Sequence, residues 1–321
     1  MELVDRRPDY LAMVKDRQCH IKRSSVQARQ RGIVIRNMCN VSHIESRLNS
    51  SISDGLGKCL KLRIFRAGRN NLSGILPTDF SNATKLEQIS LPQNSLSGDI
   101  SERIVNLDSL RILDLNSNGF SGMLPISIEL NLGYNNLDGN FSVLDFSKLS
   151  QLTKLDLGGN SLSGIIPRSL YSCKSLKAIR MSQNNLEGEI HPDILLLKSL
   201  SFLSLGHNRL TNLTGAMKIL MYCKSLVFLA FPGSFVGEEM PDNLGMVDFY
   251  GFQNLRFLSL AECELTGHIP AYLSKFEKLE LLYLGNNRIT GSIPSWLGNH
   301  RVNSSCLQIG NLTGSIPVRD S

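Results

Sequence analysis

The sequence lacks any long hydrophobic run. No stretch of its 321 residues reaches the roughly 18 consecutive apolar residues that a membrane-spanning helix needs. The first 25 residues also lack the apolar core that defines a secretory signal peptide. We therefore expect neither a membrane span nor a signal peptide within this chain.

Catalytic and metal-binding motifs are missing as well. The sequence has no GxxxxGK[ST] phosphate-binding loop, no HExxH and no GxSxG, and VDFYG at residues 247–251 is not the DFG of a kinase. The 6 histidines are scattered without the spacing typical of metal ligands. We therefore expect no enzymatic activity, no cofactor and no metal site.

The charge distribution disfavours a nucleic-acid-binding surface. The formal net charge is +6, but residues 1–36 contain nine Lys or Arg and four Asp or Glu, so +5 of that charge lies in this short segment. The remainder of the chain carries only +1 and offers no basic surface for phosphates. We expect no nucleic-acid partner, although a basic N-terminal arm that binds membrane or nucleic acid stays open as an alternative.

What the sequence does contain is a repeat of about 24 residues. The segment LTKLDLGGNSLSGIIP at residues 152–167 fits the template LxxLxLxxN, which can be laid over most of the chain. The last template position is held by Asn70, Asn94, Asn118, Asn160, Asn184, Asn208 and Asn287. This pattern predicts an α/β leucine-rich-repeat fold, a right-handed solenoid with a parallel β-sheet on the concave face. The rest should be loop, with short 3-10 or helical segments on the convex side.

Each template position has a physical role. Leu155 and Leu157 alternate as in a short strand and should point inward, while Asp156 points outward. The amide of Asn160 should satisfy backbone groups of adjacent coils, which an apolar residue would leave unpaired. Gly164 permits the tight bend after the strand. Stacked coils should therefore share one leucine core.

The repeats define the predicted domain organisation and its irregular points. The regions are an irregular basic segment at 1–45, a leucine-rich-repeat domain of about ten coils at 46–317 and a tail at 318–321. Irregular coils are expected near residues 126–135, 232–254 and 298–310. The first is too short for a full coil but keeps the strand and turn around Leu130 and Asn135. Ser234 and Cys263 occupy asparagine positions.

The cysteines do not predict a disulfide framework. Cys59, Cys173 and Cys223 each precede the first leucine of a coil by three residues, so the closest pair lies two coils apart. That separation is roughly 10 Å, beyond the ~7 Å limit between bridged Cα atoms, and we expect buried thiols. The pairing of Cys19, Cys39 and Cys306 stays open because they lie outside regular coils.

Glycosylation sequons indicate the secretory pathway. Asn-x-Ser/Thr occurs at Asn40, Asn49, Asn71, Asn82, Asn140, Asn212, Asn303 and Asn311. Two of these sequons, at Asn71 and Asn311, arise from the repeat template itself. Asn82, Asn140 and Asn212 are not forced by the template and support the hypothesis, and we expect all eight asparagines to be candidate glycan sites exposed outside the cytosol.

The outward strand positions form rows that could bind a ligand. The candidates are Arg66, Arg69, Gln88, Ser90, Asp114, Asn116, Lys154, Asp156, Arg180, Ser182, Ser204 and His207. A rigid, extended surface of this kind suits a peptide or protein segment, and an Arg or Lys could pair with a sulfate oxygen. The alternative is that most of these residues are simply solvated.

Several segments resemble a specific family. FRAGRNNLSG at 65–74, LDFSKLSQLTKLDLGGNSLSG at 144–164, LTNLTGAMKIL at 210–220 and CELTGHIP at 263–270 are similar to plant leucine-rich-repeat receptors for tyrosine-sulfated peptides. These include the phytosulfokine and glycopeptide receptor kinases and receptor-like proteins without a kinase. The resemblance covers residues 56–317. It implies an extracellular ligand-binding region at the plasma membrane, which perceives a peptide and binds a leucine-rich-repeat co-receptor kinase.

The departures from that family set further expectations. Its members carry a signal peptide, a cysteine-paired cap, a membrane helix and often a kinase, so we expect this chain to be a truncated ectodomain. They also carry an island segment that contributes to peptide binding, whereas NHRVNSSCLQIG at 299–310 joins the flanking coils directly. We therefore expect weak or no binding of a sulfated pentapeptide. The alternatives are a secreted defence protein or enzyme inhibitor, and a receptor whose full gene encodes a kinase.

Overall fold

A computed structural model describes most of the repeat region. The described residues are 40–41, 51–52, 54–101, 103–104, 107, 109–122, 130–147, 149–242 and 251–299. They form two compact units, an N-terminal unit that ends at Gly139 and a C-terminal unit that begins at Asn140. Both units consist of leucine-rich-repeat coils, as the sequence predicted.

The N-terminal unit contains two parallel sheets. Its strands are β1 (Asn40–Val41), β2 (Ile64–Arg66), β3 (Ser73–Gly74), β4 (Gln88–Ser90), β5 (Ser95–Asp99), β6 (Ile112–Asp114), β7 (Gly119–Ser121) and β8 (Leu130–Asn131). The main sheet has the order β1-β2-β4-β6-β8, and β3-β5-β7 form a second sheet. Among the described residues, the 3-10 helices Leu56–Lys58 and Thr78–Asn82 occupy arcs between strands.

The C-terminal unit repeats this architecture. Its strands are β9 (Lys154–Asp156), β10 (Ser163–Gly164), β11 (Ala178–Arg180), β12 (Asn185–Gly188), β13 (Phe202–Ser204), β14 (Arg209–Leu210), β15 (Phe228–Ala230), β16 (Phe257–Ser259) and β17 (Leu281–Tyr283). The main sheet is β9-β11-β13-β15-β16-β17, and the second sheet is β10-β12-β14. The 3-10 helices are Phe141–Val143, Arg168–Ser172, Pro192–Leu196 and Ala271–Lys275. The described part of the unit also contains the α-helices α1 (Leu213–Leu220) and α2 (Trp296–Asn299).

The main-sheet strands are short, and the central residue of each three-residue strand enters the core. In the C-terminal unit, parallel pairing aligns Leu155, Ile179 and Leu203, and each is at most 1% exposed. Because alternate strand residues point to opposite faces, the flanking residues lie on the other face, where most are partly or fully exposed and Ala230 and Ser259 are buried. Burying an aliphatic side chain of this size stabilises the fold by about 1.5–3 kcal/mol. The predicted inward leucines Leu155 and Leu157 are confirmed.

The template asparagines join neighbouring coils as predicted. Asn184 donates from Nδ2 to the carbonyl oxygens of Leu157 at 2.9 Å and Met181 at 3.2 Å, and its Oδ1 accepts from the amide of Leu162 at 3.0 Å. The same pattern recurs at Asn94, Asn118, Asn135, Asn208 and Asn287. These amides replace water for backbone groups that the core would otherwise leave unpaired.

Two coils fill the asparagine position differently. The hydroxyl of Ser234 donates to the carbonyl of Leu205 at 2.9 Å and accepts from the amide of Asn208 at 3.2 Å. The thiol of Cys263 lies 3.2 Å from the carbonyl oxygen of Phe231. Both side chains are fully buried, so each replaces part of the asparagine's hydrogen bonding with a smaller group.

Helix α1 interrupts the regular arcs where the sequence shows LTNLTGAMKIL. The side chain of Asn212 caps the helix by accepting from the amide of Gly215 at 2.8 Å. The carboxylate of Glu238 accepts from the amides of Asn212 and Leu213, both at 2.7 Å. A helix N-terminus attracts negative charge, so Glu238 stabilises the start of α1 from the following coil.

Other sequence expectations fall into three groups. The coil near 126–135 keeps strand β8 and Asn135, as predicted, although residues 123–129 lie outside the described ranges. The structure corrects one detail of the sequence interpretation. Strand β1 lies inside the segment 1–45, in which the sequence showed no repeat. The tail and the irregular region after residue 299 lie outside the described residues, and the predicted domain boundaries stay predictions.

The buried thiols are confirmed where the structure describes them. Cys59, Cys173, Cys223 and Cys263 are all buried thiols. Cys19, Cys39 and Cys306 lie outside the described residues. Among the helices within the described ranges, none combines the length and the apolar character needed to cross a membrane.

Candidate ligand-binding surface

The solvent-facing side of each main sheet is the candidate site, and we call it the sheet face. It consists of the first and third residues of every main-sheet strand together with the loop that follows the strand. On β11, for example, Ala178 and Arg180 flank the buried Ile179 and are partly exposed. Repetition of this pattern at each coil produces rows of side chains on a rigid backbone.

The structure places most predicted site residues on this surface, with one correction. The strand residues are Arg66, Gln88, Ser90, Asp114, Lys154, Asp156, Arg180 and Ser204. Arg69, Asn116, Ser182 and His207 instead lie in the loops after their strands, because each strand is only three residues long. Arg69 and His207 have positive φ angles of 57° and 51°, so these loops turn sharply at the edge of the sheet face.

In the N-terminal unit, a polar network is centred on Asp114. Its carboxylate accepts from the hydroxyl of Ser90 at 3.2 Å and from Nδ2 of Asn131 at 2.9 Å. Asn116 donates to the side-chain oxygen of Asn131 at 3.4 Å. Asn131 was absent from the predicted site because it lies in the shortened coil. Arg66 contacts the side chain of Gln88 at 2.5 Å, which holds both on adjacent strands.

In the C-terminal unit, two pairs of predicted residues meet across strands. Arg180 Nη1 donates to Asp156 Oδ2 at 3.1 Å, and the other carboxylate oxygen accepts from the amide of Gly158 at 3.0 Å. The hydroxyls of Ser182 and Ser204 lie 2.7 Å apart. Lys154 and His207 are exposed on the same face. The Arg180 pair is partly exposed, so it contributes at most about 1 kcal/mol to stability.

Sequence reasoning missed four aromatic side chains on this face, which we call the aromatic ladder: Phe202, Phe228, Phe257 and Tyr283. The rings of Phe202 and Phe228 are 4.2 Å apart and 8° from parallel, and those of Phe228 and Phe257 are 4.1 Å apart at 10°. Tyr283, the third residue of β17, lies diagonally beside this row with its ring 5.4 Å from that of Phe257. The signal was present in SFLSL, VFLAF and RFLSL, where phenylalanine recurs at one template position.

Two charged residues that directly precede ladder strands pair with each other. Beside the ladder, Arg256 Nε donates to Glu280 Oε1 at 2.9 Å. This hydrogen bond and the charge of Glu280 raise the pKa of Arg256 above its usual value. Within the described residues, no group of three or more His, Cys, Asp or Glu side chains is arranged to hold a metal ion. Chemically, the surface suits non-covalent recognition.

Four sequon asparagines have described side chains, and all four are exposed: Asn71, Asn82, Asn140 and Asn212. Asn140 and Asn212 also use their side-chain oxygens to accept backbone amides. Asn212 Nδ2 donates to Glu189 at 2.9 Å, so a glycan there would replace one hydrogen of a bonded amide. Asn40 contributes backbone to β1, while Asn49, Asn303 and Asn311 lie outside the described residues.

Comparison with known proteins agrees with the repeat architecture. Models of the leucine-rich repeat match residues 129–186 and, separately, residues 109–130, 254–276 and 278–300. Together with the parallel sheets and the regular asparagine bonding, these matches establish a leucine-rich-repeat solenoid.

Similar sequences occur among plant receptors. The chain is 40% identical over 138 residues to Receptor-like protein 3 of Arabidopsis thaliana, a match that covers 43% of this chain and 18% of that protein. It is 38% identical over 84 residues to Phytosulfokine receptor 1 of Arabidopsis thaliana, covering 26% of this chain and 8% of the receptor. The chain thus spans a small part of the curated relatives it matches.

A similar solved structure is the Arabidopsis receptor kinase HAESA in complex with the peptide hormone IDA and the co-receptor SERK1. The similarity has a TM-score of 0.63 at 28% identity and covers 79% of this chain and 46% of that chain. The repeats of this chain are therefore similar to those of plant receptor-like proteins and receptor kinases.

Proposed function

We propose that this chain is the ligand-binding leucine-rich-repeat region of a plant receptor, located on the extracellular side of the plasma membrane. It binds an extended peptide across the sheet face and acts together with a leucine-rich-repeat co-receptor kinase. The chain itself performs recognition without catalysis. The observation that carries this proposal is the exposed, rigid row of polar and aromatic side chains on the main sheet of the C-terminal unit.

The geometry supports a peptide as the ligand. An extended peptide needs a long surface with regularly spaced groups, since it has no compact shape to fill a pocket. Six parallel strands in the C-terminal unit present such rows, and Lys154, the Asp156–Arg180 pair and Ser204 supply groups for hydrogen bonding. Because the strands are fixed by the buried core, these groups are held in place before a ligand arrives, which reduces the entropic cost of binding.

The similarities support the cellular setting. HAESA is a receptor kinase with a bound peptide hormone and a co-receptor, and its ectodomain aligns with most of this chain. The exposed sequon asparagines Asn71, Asn82, Asn140 and Asn212 suit a protein that passes through the secretory pathway. We infer the extracellular location from these two observations together.

The finer assignment is a receptor for tyrosine-sulfated peptides. The similarity to Phytosulfokine receptor 1 and the cations Lys154 and Arg180 on the sheet face support it. An arginine or lysine can form charge-assisted hydrogen bonds with sulfate oxygens. Arg180 is already paired with Asp156, so its availability to a sulfate is reduced. We therefore propose that this chain alone holds a sulfated peptide weakly.

A peptide selection with a glycan block tests the general proposal. The full chain, secreted from eukaryotic cells and immobilised, is used to select binders from a displayed library of random dodecapeptides. Selected peptides are then tested for binding to a double variant that carries both Lys154→Asn and Asp156→Thr. These two substitutions create an Asn-x-Thr sequon on strand β9 and place a bulky glycan on the sheet face. The matched control, Ser161→Asn, creates an Asn-x-Ser sequon in the same coil at an exposed position beyond the strand.

Mass spectrometry confirms glycan occupancy in both variants before binding is measured. We expect the glycan on β9 to abolish binding of most selected peptides, while the control glycan leaves binding unchanged. Peptides that bind both glycosylated variants equally well would place recognition elsewhere and reject the proposed function. A synthetic tyrosine-sulfated pentapeptide and its unsulfated form, compared by calorimetry, test the finer assignment. Equal affinity for the two forms would reject it.

A further inference from the structure

We propose that the aromatic ladder is the part of the sheet face that recognises an uncharged aromatic side chain of the peptide ligand. This inference rests on the proposed function and extends it, because it assigns a ligand chemistry to a particular set of residues. The ladder crosses strands β13, β15, β16 and β17, and these strands are hydrogen-bonded neighbours within the C-terminal unit.

The stacking of the rings determines which part of each ring a ligand can reach. Phe228 has Phe202 on one side at 4.2 Å and Phe257 on the other at 4.1 Å, and all three rings are nearly parallel. Both faces of Phe228 are therefore covered by its neighbours, yet the side chain is partly exposed. The ring edge must account for the exposed part.

Exposed ring edges favour one kind of partner. The edge of an aromatic ring carries partial positive charge and the face partial negative charge, so edges pack well against the face of another ring. An aromatic side chain lying flat on the ladder would make edge-to-face contacts with two or three phenylalanines at once. A sugar ring binds aromatic platforms through their faces, and both faces of Phe228, at the centre of the stack, are occupied. The ladder therefore fits a peptide aromatic group better than a carbohydrate.

The fold does not require aromatic residues at this position. The same template position on other main-sheet strands is held by Ile64, Gln88, Ile112, Lys154 and Ala178. Those strands keep the same parallel register with their neighbours. Apolar, polar and charged side chains are thus all compatible with the backbone, so the fold leaves this position free to serve a ligand.

The strand residues beside the rings are small and uncharged. The third residues of β13, β15 and β16 are Ser204, which is partly exposed, and Ala230 and Ser259, which are buried. Arg256 and Glu280, which directly precede β16 and β17, are paired with each other. A ligand group on the rings thus finds apolar contact and the hydroxyl of Ser204, while the exposed Glu262 in the loop after β16 disfavours an anionic group. This matches an uncharged aromatic side chain.

The length of the ladder matches a short extended segment. Neighbouring strands are about 4.8 Å apart, so four strands span about 14 Å. An extended peptide advances about 3.3 Å per residue, and about four residues therefore cover the ladder. One aromatic side chain of such a segment can lie on the rings while its backbone lies near the partly exposed hydroxyl of Ser204.

The test uses the peptides selected on the full chain and two substitutions of Phe228. Phe228→Leu keeps an apolar side chain but removes the ring, and Phe228→Ser removes both. The matched control is Ile112→Ser, which changes a partly exposed residue at the same template position in the N-terminal unit. Thermal unfolding midpoints and light scattering of each variant establish that it is folded and whether it self-associates.

We expect Phe, Tyr or Trp to be enriched at one position of the glycan-sensitive peptides. Both Phe228 variants should weaken their binding about tenfold, and replacement of the peptide's aromatic residue by Ala should do the same, whereas Ile112→Ser should change it less than about twofold. Glycan-sensitive peptides without aromatic enrichment, with unchanged affinity for Phe228→Leu, would overturn this inference and leave the proposed function intact. If no selected peptide is glycan-sensitive, both fail. Self-association of the chain that Phe228→Leu abolishes would assign the ladder to a second copy and would also overturn the inference.

Discussion

The side-chain amide of Asn184 donates to the carbonyl oxygen of Leu157, 27 residues earlier in the chain, at 2.9 Å. The same amide group accepts from the backbone of Leu162, so one buried side chain serves two backbone groups of the preceding coil. Backbone groups in this position have no access to water, and leaving one unpaired costs about 1–3 kcal/mol. The asparagine row is therefore a set of cross-links between coils.

We predict that Asn184→Ala lowers the free energy of unfolding by about 2–5 kcal/mol, because it leaves buried amide and carbonyl groups without partners. The control is Asn185→Ala, one residue later, where the side chain accepts only an exposed bond from Arg209. That change should stay within about 0.5 kcal/mol. Urea denaturation followed by circular dichroism measures both, and equal midpoints would contradict the cross-linking role.

A second prediction concerns the register of strand β9. Leu157→Asp places a charge in the core, at a residue that is fully buried, and should destabilise the chain by several kcal/mol. Asp156→Leu changes a partly exposed residue on the sheet face and should cost far less, limited to the Arg180 pair and the Gly158 hydrogen bond. Comparable denaturation midpoints for these two variants would refute the assigned inward and outward faces.

A third prediction concerns the start of helix α1. Replacing Glu238 by Ala removes the carboxylate that accepts the amides of Asn212 and Leu213, and we expect a loss of about 1–2 kcal/mol. Hydrogen exchange measured by mass spectrometry should speed up over residues 212–220. Glu239→Ala removes an exposed neighbouring carboxylate and serves as the control. Unchanged exchange in Glu238→Ala would show that α1 does not depend on this contact.

The fourth prediction is a loss of stability at high pH. Burial raises the pKa of the thiols of Cys173, Cys223 and Cys263 from 9.0 to about 11. As the pH rises above 9, the unfolded chain releases these protons first, so stability is fully present below pH 9 and declines toward pH 11. Each pKa unit corresponds to about 1.4 kcal/mol per thiol.

Urea denaturation between pH 8 and pH 10.5 measures this decline. The variant Cys173→Ala lacks one of the thiols and should show a shallower decline than the unsubstituted chain. A maleimide reagent supplies an independent readout, since the buried thiols should react only after unfolding. Rapid modification of all three thiols in the folded chain, or identical pH profiles for the two proteins, would contradict the prediction.

The sequence predicts those parts of the structure that depend on the repeat alone. Asn184 and its equivalents could be assigned because every coil needs the same buried amide at the same spacing. The position of His207 was less accurate, because a three-residue strand ends before the template does and this residue lies in the turn. Helix α1 depends on Glu238, which approaches from a later coil, and no local pattern reveals that contact.

The aromatic ladder was not predicted from the sequence for a different reason. Phe202, Phe228 and Phe257 were visible in the sequence, but a search for polar and charged candidates passes over apolar residues at an outward position. Their importance depends on the register that aligns them across adjacent strands, which a single coil does not reveal. Alignment of the residues that occupy the same template position in successive coils identifies the ladder, whereas the sequence of one coil does not.

The asparagine bonds that join different coils of the C-terminal unit run from each coil to the one before it. Asn184 serves Leu157 and Leu162, and Asn208 likewise serves Met181 and Leu186 of the coil before it. When a coil loses its successor, one of its backbone amides loses its acceptor and one of its carbonyl oxygens loses a donor. When a coil loses its predecessor, its asparagine still donates to a carbonyl oxygen of its own coil. The stack consequently has a polarity, and fraying should advance more readily from the carboxyl end toward the amino end than in reverse.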